Sequence, residues 1–195
     1  MDVQQTRFSA QEIAALARRI DRPIVLVGMM GVGKSSLGKK LAVLLDCPFV
    51  DADEEIERSA HMTIPEIFET FGEAYFRDGE RRVIARLMQE SAEQPGCRTV
   101  IATGGGAFCN AETRALILDK AIAVWLDSDV DTLIDRTARK DNRPLLKQGD
   151  PREILTRLRA EREPYYSQAP IHVLSGNGPH VQTINKVLEE ISQWL

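Results

Sequence analysis

One segment of eight residues, Gly28-Met29-Met30-Gly31-Val32-Gly33-Lys34-Ser35, constrains this chain more than any other feature. It fits the pattern G-x-x-x-x-G-K-[ST], in which a glycine-rich loop joins a strand to a helix. The apolar run at 24–27 before it is typical of a buried strand. Leucines at helical spacing follow it, namely Leu37, Leu41, Leu44 and Leu45. A strand, a glycine loop and a helix in this order predict a phosphate-binding loop.

The residue types in this loop match the chemistry of a bound nucleoside triphosphate. Glycines allow the backbone N–H groups to close around an anion, and the following helix N-terminus adds its positive dipole. Lys34 is expected to reach the β- and γ-phosphates, and the Ser35 hydroxyl is expected to hold Mg²⁺. The alternative is a glycine-rich turn with a chance Lys-Ser pair, against which the flanking strand and helix argue.

Short apolar runs alternate with helical segments along the rest of the chain. We predict strands at 23–27, 48–50, 99–102, 121–126 and 171–174, and helices at 34–45, 53–60, 64–71, 77–93, 110–118, 129–138, 151–162 and 179–194. This alternation predicts an α/β fold in three layers, with a parallel sheet between two layers of helices. Two longer connections, 51–80 and 139–153, interrupt the rhythm, and connections of that length are usually functional, often as lids.

Composition limits the class of protein. A chain of 195 residues with 43% apolar and 28% charged residues suits one soluble globular domain. The net charge of −4 argues against general binding to nucleic acid or to an anionic membrane, because both require a basic face. No apolar run approaches the ~20 residues that span a bilayer. The first residues also lack the apolar core of a secretion signal.

Neither a disulfide framework nor a cluster of soft metal ligands is indicated. The cysteines are odd in number and form no C-x-x-C pair, and the three histidines do not combine with them at metal-ligand spacing. Free thiols fit a reducing compartment, so we expect a cytoplasmic protein. These residues are Cys47, Cys97, Cys109, His61, His172 and His180.

Residues 1–22 are predicted to form an N-terminal helical extension. Ser9 and Glu12 form a capping box, which opens a short helix. One side of that helix carries apolar side chains, at Ile13, Leu16, Ala17 and Ile20. A DNA-binding helix-turn-helix would need a second helix, for which about twenty residues leave no room. We therefore expect this helix to lie on the surface of a single domain that spans 23–195.

Two carboxylates follow the second predicted strand directly. Asp51 and Asp53 are two residues apart, so in strand geometry both side chains face one cleft. Their repulsion would need a cation, and Mg²⁺ near Asp51 would leave Asp53 to accept a proton from a hydroxyl. The alternative is that these are N-cap residues of the next helix, for which Asp53 is well placed, although capping by itself would explain only one of the two.

Two further polar features suit a small anion. Arg77 and Glu80 are three residues apart and can pair on one helix face, although a plain surface ion pair would look the same. The turn at Gly104, Gly105 and Gly106 follows the third predicted strand, so its bare N–H groups can approach an anion. A mobile turn is the alternative reading of these glycines.

Three arginines lie in and around the second long connection. Arg143 precedes Pro144 in an extended stretch, where it can stabilise the charge of a transferred phosphoryl group. Arg162 suits bidentate binding of a carboxylate, or it complements the helix dipole near a helix end that Pro164 is predicted to impose. Arg136 can stack on adenine, or it is a solvated helix residue.

Together these residues indicate an acceptor for the phosphoryl group. Asp53 suits a hydroxyl, whereas Arg77, Arg162 and the glycine turn suit a small anion. A lid at 139–153 would exclude water, which otherwise competes for the γ-phosphate. The pattern therefore predicts a kinase that acts on a small polyhydroxylated acid.

From about residue 23 to 195 the chain resembles the shikimate kinases. The resemblance rests on G-x-x-G-x-G-K-S at 28–35, D-A-D at 51–53, I-F at 67–68, F-R-x-x-E at 76–80, G-G-G at 104–106, R-P-L at 143–145 and R-x-x-x-Y at 162–166. It implies a P-loop fold similar to that of nucleoside monophosphate kinases, with strand order 2-3-1-4-5 and a lid. It also implies transfer of the γ-phosphoryl group of ATP to the 3-hydroxyl of shikimate.

The resemblance also implies a role for each matching residue. Lys34, Asp53 and Arg143 would be catalytic, and Ser35 and Asp51 would hold one Mg²⁺ per subunit. Shikimate would be bound by Asp53, Phe68, Phe76, Arg77, Glu80, Gly104, Gly105, Gly106 and Arg162. ATP would be bound by Gly28, Gly31, Val32, Gly33, Lys34, Ser35, Ser36, Arg136, Arg143 and Pro179, with backbone near Asn177 beside adenine. We expect a monomer that binds neither nucleic acid nor membrane.

Two alternatives and one departure accompany this prediction. The chain has Asp78 where the family often has a second arginine, and Gly79 follows it, which puts the local helix start in doubt. Another small-molecule kinase of this fold, specific for gluconate or a nucleotide, would share the phosphate loop. A non-catalytic sensor of shikimate would be expected to lose Lys34, Asp53 or Arg143, and all three are present.

Overall fold

A five-stranded parallel sheet organises the computed structural model, which describes residues 6–94, 96, 98–138, 149–176 and 178–195. The strands lie in the order β2-β3-β1-β4-β5, which confirms the predicted fold class and strand order. Their bounds are β1 Ile24–Val27, β2 Phe49–Asp51, β3 Val100–Ala102, β4 Ile122–Asp127 and β5 Ile171–Leu174.

The central strands are buried on both faces, as their continuous apolar runs predict. Every residue of β1 and β4 is buried, whereas the edge strand β5 alternates between buried and exposed positions. In the parallel register, Ile24 aligns with Val100 on one side and with Ile122 on the other. All five carboxyl ends therefore meet at one edge of the sheet, where an open α/β sheet binds ligands.

Helices follow the strands in sequence and supply the rest of the core. Their bounds are α1 Ala10–Arg19, α2 Lys34–Leu45, α3 Ala52–Ala60, α4 Ile64–Glu93, α5 Ala111–Lys120, α6 Val130–Thr137, α7 Pro151–Tyr166 and α8 His180–Trp194. No helix in the described ranges is both long enough and apolar enough to cross a bilayer. Within the same ranges, Cys47 and Cys109 are free thiols, whereas Cys97 lies outside them.

The segment labelled α4 contains two helices that meet at Gly72, in agreement with the two helices that the sequence predicts. Gly72 has φ 80° and ψ 174°, which is not a helical conformation, and the second helix begins before residue 77, where its start was predicted. A positive φ of this size favours glycine. Asp78 and Gly79 lie inside α4 and do not interrupt it, which removes the doubt about the local helix start.

The prediction that Pro164 ends α7 is wrong. The helix continues to Tyr166, and the N–H of Ser167 still donates to the Glu163 carbonyl at 2.9 Å. Proline removes one hydrogen bond from a helix. Here burial of the Tyr166 side chain beneath β4, beside Trp125, keeps the last turn helical.

Helix α1 is part of the main core. The Ser9–Glu12 capping box forms as predicted. Ile13, Leu16, Ala17 and Ile20 are all buried in the same apolar cluster as the sheet. The Arg98 guanidinium also donates to the carbonyl of Ala17 at 2.5 Å. The boundary at residue 22 stays a prediction, as does the lid at 139–153, whose residues 139–148 lie outside the described ranges.

We expect Leu16→Ala to lower the free energy of unfolding by about 2–5 kcal/mol, because the change leaves a cavity in a core that α1 shares. Urea denaturation measures this value. Val43→Ala is the matched control, since Val43 is 67% exposed on α2 and its truncation should change stability by less than about 0.5 kcal/mol. An unchanged stability in Leu16→Ala would show that α1 is a separate appendage.

Candidate active site

The glycine loop lies between β1 and α2, at the carboxyl edge of the sheet. Gly28, Gly31 and Gly33 have φ values of 133°, 85° and 98°, which L-residues with a side chain rarely adopt. A Cβ atom on Gly28 would also overlap the carbonyl oxygen of Leu126 at the end of β4. No side chain caps α2 at Gly33, so the first N–H groups of that helix can bind an anion.

Lys34 is buried inside this loop. Its ammonium group donates to the carbonyl of Gly28 at 2.8 Å and to the carbonyl of Met29 at 3.0 Å. The loop backbone therefore curves around its own lysine. This geometry places a positive charge at the point where the sequence predicts the β- and γ-phosphates.

Ser35 and Asp51 meet beside the loop. The Ser35 hydroxyl donates to Asp51 Oδ2 at 2.5 Å. The N–H of Asp53 donates to Asp51 Oδ1 at 3.0 Å, so Asp51 caps α3. Capping therefore explains Asp51 and not Asp53, because β2 extends to Asp51 and α3 begins one residue earlier than predicted.

A hydroxyl and a carboxylate at a helix N-terminus fit Mg²⁺, which takes oxygen ligands and usually only one or two from protein carboxylates. Among the residues that the structure describes, no group of three or more His, Cys, Asp or Glu side chains could hold a metal ion. The donor set at Ser35 and Asp51 therefore suits a magnesium ion that also takes phosphate oxygens.

The glycine turn after β3 brings charged side chains from two helices together. A Cβ atom on Gly104 would lie 2.5 Å from Glu80 Oε1 and 2.8 Å from Asp53 Oδ1. A Cβ atom on Gly106 would lie 2.6 Å from Nη1 of Arg77. Glycine is needed here because the side chains of α3 and α4 occupy the space. This close packing favours a binding site over a mobile turn.

The middle glycine faces the phosphate loop. A Cβ atom on Gly105 would lie 3.1 Å from the amide nitrogen of Met30 and 3.4 Å from Nη1 of Arg162. Nη1 of Arg162 donates to the Gly105 carbonyl at 3.1 Å, and the Tyr166 hydroxyl donates to the same oxygen. Arg162 therefore binds this turn instead of only balancing a helix dipole, which was its alternative reading.

Arg77 and Glu80 form the predicted pair. Nη1 of Arg77 donates to Glu80 Oε2 at 2.8 Å, and Nη2 of Arg77 lies 3.1 Å from Glu73 Oε1. The Glu80 side chain is only 3% exposed, so this is not a plain surface ion pair. Beside it, the Phe68 and Phe76 rings lie 4.6 Å apart in a small apolar cluster. Their contact with a ligand stays a prediction.

Two buried carboxylate oxygens have no hydrogen-bond partner among the described residues: Asp53 Oδ1 and Glu80 Oε1. Burial and the negative charges of Asp51 and Glu80 together raise the pKa of Asp53 to about 6, against the opposing effect of Lys34. Burial also raises the pKa of Glu80, against the effect of Arg77. The two oxygens face the same glycine, so a ligand with hydroxyl groups would satisfy both.

This raised pKa links Asp53 to stability. Between the ordinary pKa of an aspartate and about pH 6, the folded protein keeps a proton on Asp53 that the unfolded chain has lost. Stability therefore falls as the pH rises through that window, and the ionised carboxylate is retained at neutral pH at a cost to the fold.

Arg136 connects the glycine loop to the segment between β5 and α8. Its guanidinium donates to the Val32 carbonyl at 2.9 Å and to the Gly176 carbonyl at 2.6 Å, so it is not simply solvated. Pro179 is the N-cap residue of α8 in the same region. Contact with adenine stays a prediction for both. Arg143 and Asn177 lie outside the described residues.

The sequence prediction missed a role for Tyr166. The sequence analysis gives Tyr166 only as part of the R-x-x-x-Y motif. Tyr166 lies four positions after Arg162, and side chains at this spacing share one face of a helix. That spacing is the signal that could have placed its hydroxyl beside Arg162.

We expect the Asp53 carboxyl to titrate near pH 6, and its pKa to fall in Glu80→Gln, because Glu80 contributes a negative charge that opposes ionisation. Carboxyl carbon shifts in a ¹³C-labelled protein measure both values. Asp129 is the internal control, because a hydrogen bond from the Thr132 N–H lowers its pKa and it should not respond. An ordinary aspartate pKa at Asp53 would contradict this picture.

Comparison with known proteins gives a consistent result. The shikimate kinase family model matches residues 30–192. A shikimate kinase of Novosphingobium aromaticivorans is 66% identical over 195 residues, which is the whole of both chains. One from Caulobacter vibrioides is 53% identical over 172 residues, covering 88% of this chain and 83% of that protein.

A solved structure shows the same architecture. The shikimate kinase from Acinetobacter baumannii in complex with shikimate superimposes with a TM-score of 0.78 at 35% identity. The match covers 91% of this chain and 96% of that one. The phosphate loop, the charged glycine turn and these relatives agree, and the chain belongs to the shikimate kinase family.

Proposed function

We propose that this protein transfers the γ-phosphoryl group of ATP to the 3-hydroxyl of shikimate, giving ADP and shikimate 3-phosphate. Membership of the family makes the chain an ATP-dependent phosphotransferase with an alcohol acceptor. One observation carries the choice of acceptor. Two unpartnered carboxylate oxygens and two guanidinium groups surround a glycine turn that contacts the phosphate loop. That set suits a molecule with both hydroxyl groups and a carboxylate.

On the nucleotide side, the chain supplies an anion cradle and a cation. The N–H groups at the start of α2 would bind phosphate oxygens, and Lys34 would exchange its loop carbonyls for them. Gly28, Gly31, Val32, Gly33 and Ser36 would form the cradle. Arg136 and Pro179 would contact adenine, and Arg143 would approach the transferred group.

Ser35 and Asp51 would hold Mg²⁺, since their oxygens already meet beside the loop. The ion would offset the negative charge of the phosphates when it is bound. The same positive charge near Asp51 would lower the pKa of Asp53, because Asp51 is one of the charges that raise it.

On the acceptor side, Asp53 would accept a hydrogen bond from the reacting hydroxyl and take up its proton. Arg77 and Arg162 would hold the carboxylate of shikimate, with the N–H groups of the glycine turn. Glu80 fixes the direction of Arg77 through their 2.8 Å ion pair. Phosphoryl transfer passes through a loose transition state, so this positioning matters more than the strength of Asp53 as a base.

The proposal includes a cytoplasmic monomer with no nucleic-acid or membrane partner. The acidic net charge supports the absence of such partners. The sensor alternative is less well supported, because Lys34 and Asp53 are present and lie around the same cleft. A kinase specific for gluconate or a nucleotide is the remaining enzyme alternative.

The direct test measures ADP release with shikimate, gluconate and nucleoside monophosphates at equal concentrations. We expect release with shikimate to exceed release with the others by orders of magnitude. Asp53→Asn should lower kcat by about 10²–10⁴-fold, mainly because the acceptor hydroxyl loses its orientation. A preference for gluconate or a nucleotide would refute the acceptor assignment. Near-normal turnover of Asp53→Asn would refute the role of Asp53.

We expect Arg77→Ala to raise the KM for shikimate by about 10–100-fold and to leave the KM for ATP nearly unchanged, since Arg77 faces Gly106 and not the phosphate loop. Arg162→Ala should likewise raise the KM for shikimate and leave the KM for ATP nearly unchanged. Initial rates against each substrate give both. Arg82→Ala is the matched control on α4, because Arg82 is exposed and pairs with Asp78. Equal weakening of ATP and shikimate by Arg77→Ala would contradict the proposed division of the site.

A further inference from the structure

The carbonyl of Gly105 has two hydrogen-bond donors from α7. Nη1 of Arg162 lies 3.1 Å away, and the Tyr166 hydroxyl donates to the same oxygen from the next helical turn. A carbonyl oxygen can accept both bonds through its two lone pairs. Two donors on one backbone oxygen exceed what this buried group needs in order to be satisfied.

Packing alone does not require the Tyr166 hydroxyl. The side chain is 1% exposed, and its ring lies beside Trp125, with centroids 6.0 Å apart. Its oxygen also lies 3.9 Å from the Met29 sulfur. A phenylalanine would fill nearly the same space, so the hydroxyl needs a separate explanation. Burial raises the pKa of Tyr166, which keeps the hydroxyl protonated and able to donate.

Arg162 has a second task under the proposed function. Its guanidinium would also bind the acceptor carboxylate, and a guanidinium that turns its planar fork toward that anion would lengthen the bond from Nη1 to Gly105. Gly105 lies against the Met30 amide of the phosphate loop, so a shift of this peptide would disturb both halves of the site. A buried carbonyl that loses its last donor is unfavourable.

We propose that Tyr166 is a positioning residue, whose hydroxyl keeps the Gly105 carbonyl bonded while Arg162 turns to the acceptor carboxylate. The inference rests on the proposed function and deepens it. In the free enzyme both donors bind the carbonyl. In the acceptor complex Tyr166 binds it alone, the glycine turn keeps its shape, and Arg162 is released to the ligand.

The first test compares Tyr166→Phe with Tyr165→Phe. Tyr166→Phe should raise the KM and the calorimetric Kd for shikimate by about 10-fold, because acceptor binding then leaves the Gly105 carbonyl without a donor. The calorimetric Kd for ATP and Tm, both measured without acceptor, should stay close to wild type, since Arg162 still satisfies the carbonyl in the free enzyme. Tyr165 is the control, because it is 38% exposed and lies beneath Arg114. Unchanged shikimate binding in Tyr166→Phe would overturn the proposal.

A double-mutant cycle with Arg162→Ala provides a second measurement. In that background Tyr166 is the remaining donor to Gly105 with or without acceptor, so Tyr166→Phe should weaken shikimate binding less than it does in wild type and should lower Tm clearly. A loss of shikimate binding that is equal in both backgrounds would show that Tyr166 acts independently of Arg162, and would refute the exchange. The Tm measurement needs no substrate, so it tests the contacts of Gly105 even if shikimate does not bind. If the wild type neither binds nor phosphorylates shikimate, the proposed function fails instead.

Discussion

The close approach of bare backbone to charged side chains at Gly104–Gly106 is the constraint on which the site depends. Carboxylates from α3 and α4 fill the place of a side chain at Gly104, and Arg77 fills it at Gly106. Arg162, from α7, reaches the peptide between them. The sheet makes this possible, because β2, β3 and β1 are neighbours and end at one edge.

That arrangement holds acidic groups in an environment that disfavours their charge. Glu80 is buried and Asp53 is half-buried, and each keeps one buried oxygen without a partner among the described residues. Lys34 and Arg77 offset part of the penalty. The unsatisfied oxygens are unfavourable for the fold, and a ligand with several hydroxyl groups would relieve them. The stability of the empty protein and its affinity for an acceptor are therefore opposed at this point.

Local signals were enough for much of this structure. The phosphate loop, its strand and its helix follow from residues 24–45, and the Arg77–Glu80 pair follows from helical spacing. Tertiary packing decided the rest. Helix α7 continues past Pro164 to the buried Tyr166, whose hydroxyl donates to the carbonyl of Gly105, 61 residues away in sequence. The raised pKa of Asp53 likewise depends first on burial, and also on Asp51 and on Glu80, which no local pattern places beside it.

Lys34 has a consequence for the thermodynamics of nucleotide entry. Its ammonium already donates to the carbonyls of Gly28 and Met29, so these two oxygens take the place that phosphate oxygens are expected to take. Triphosphate capture is therefore an exchange of partners, in which two carbonyls must turn to water or to another donor. The heat released when the nucleotide binds will understate how strongly the phosphate is held, because the new hydrogen bonds of Lys34 replace ones that the empty loop had already made.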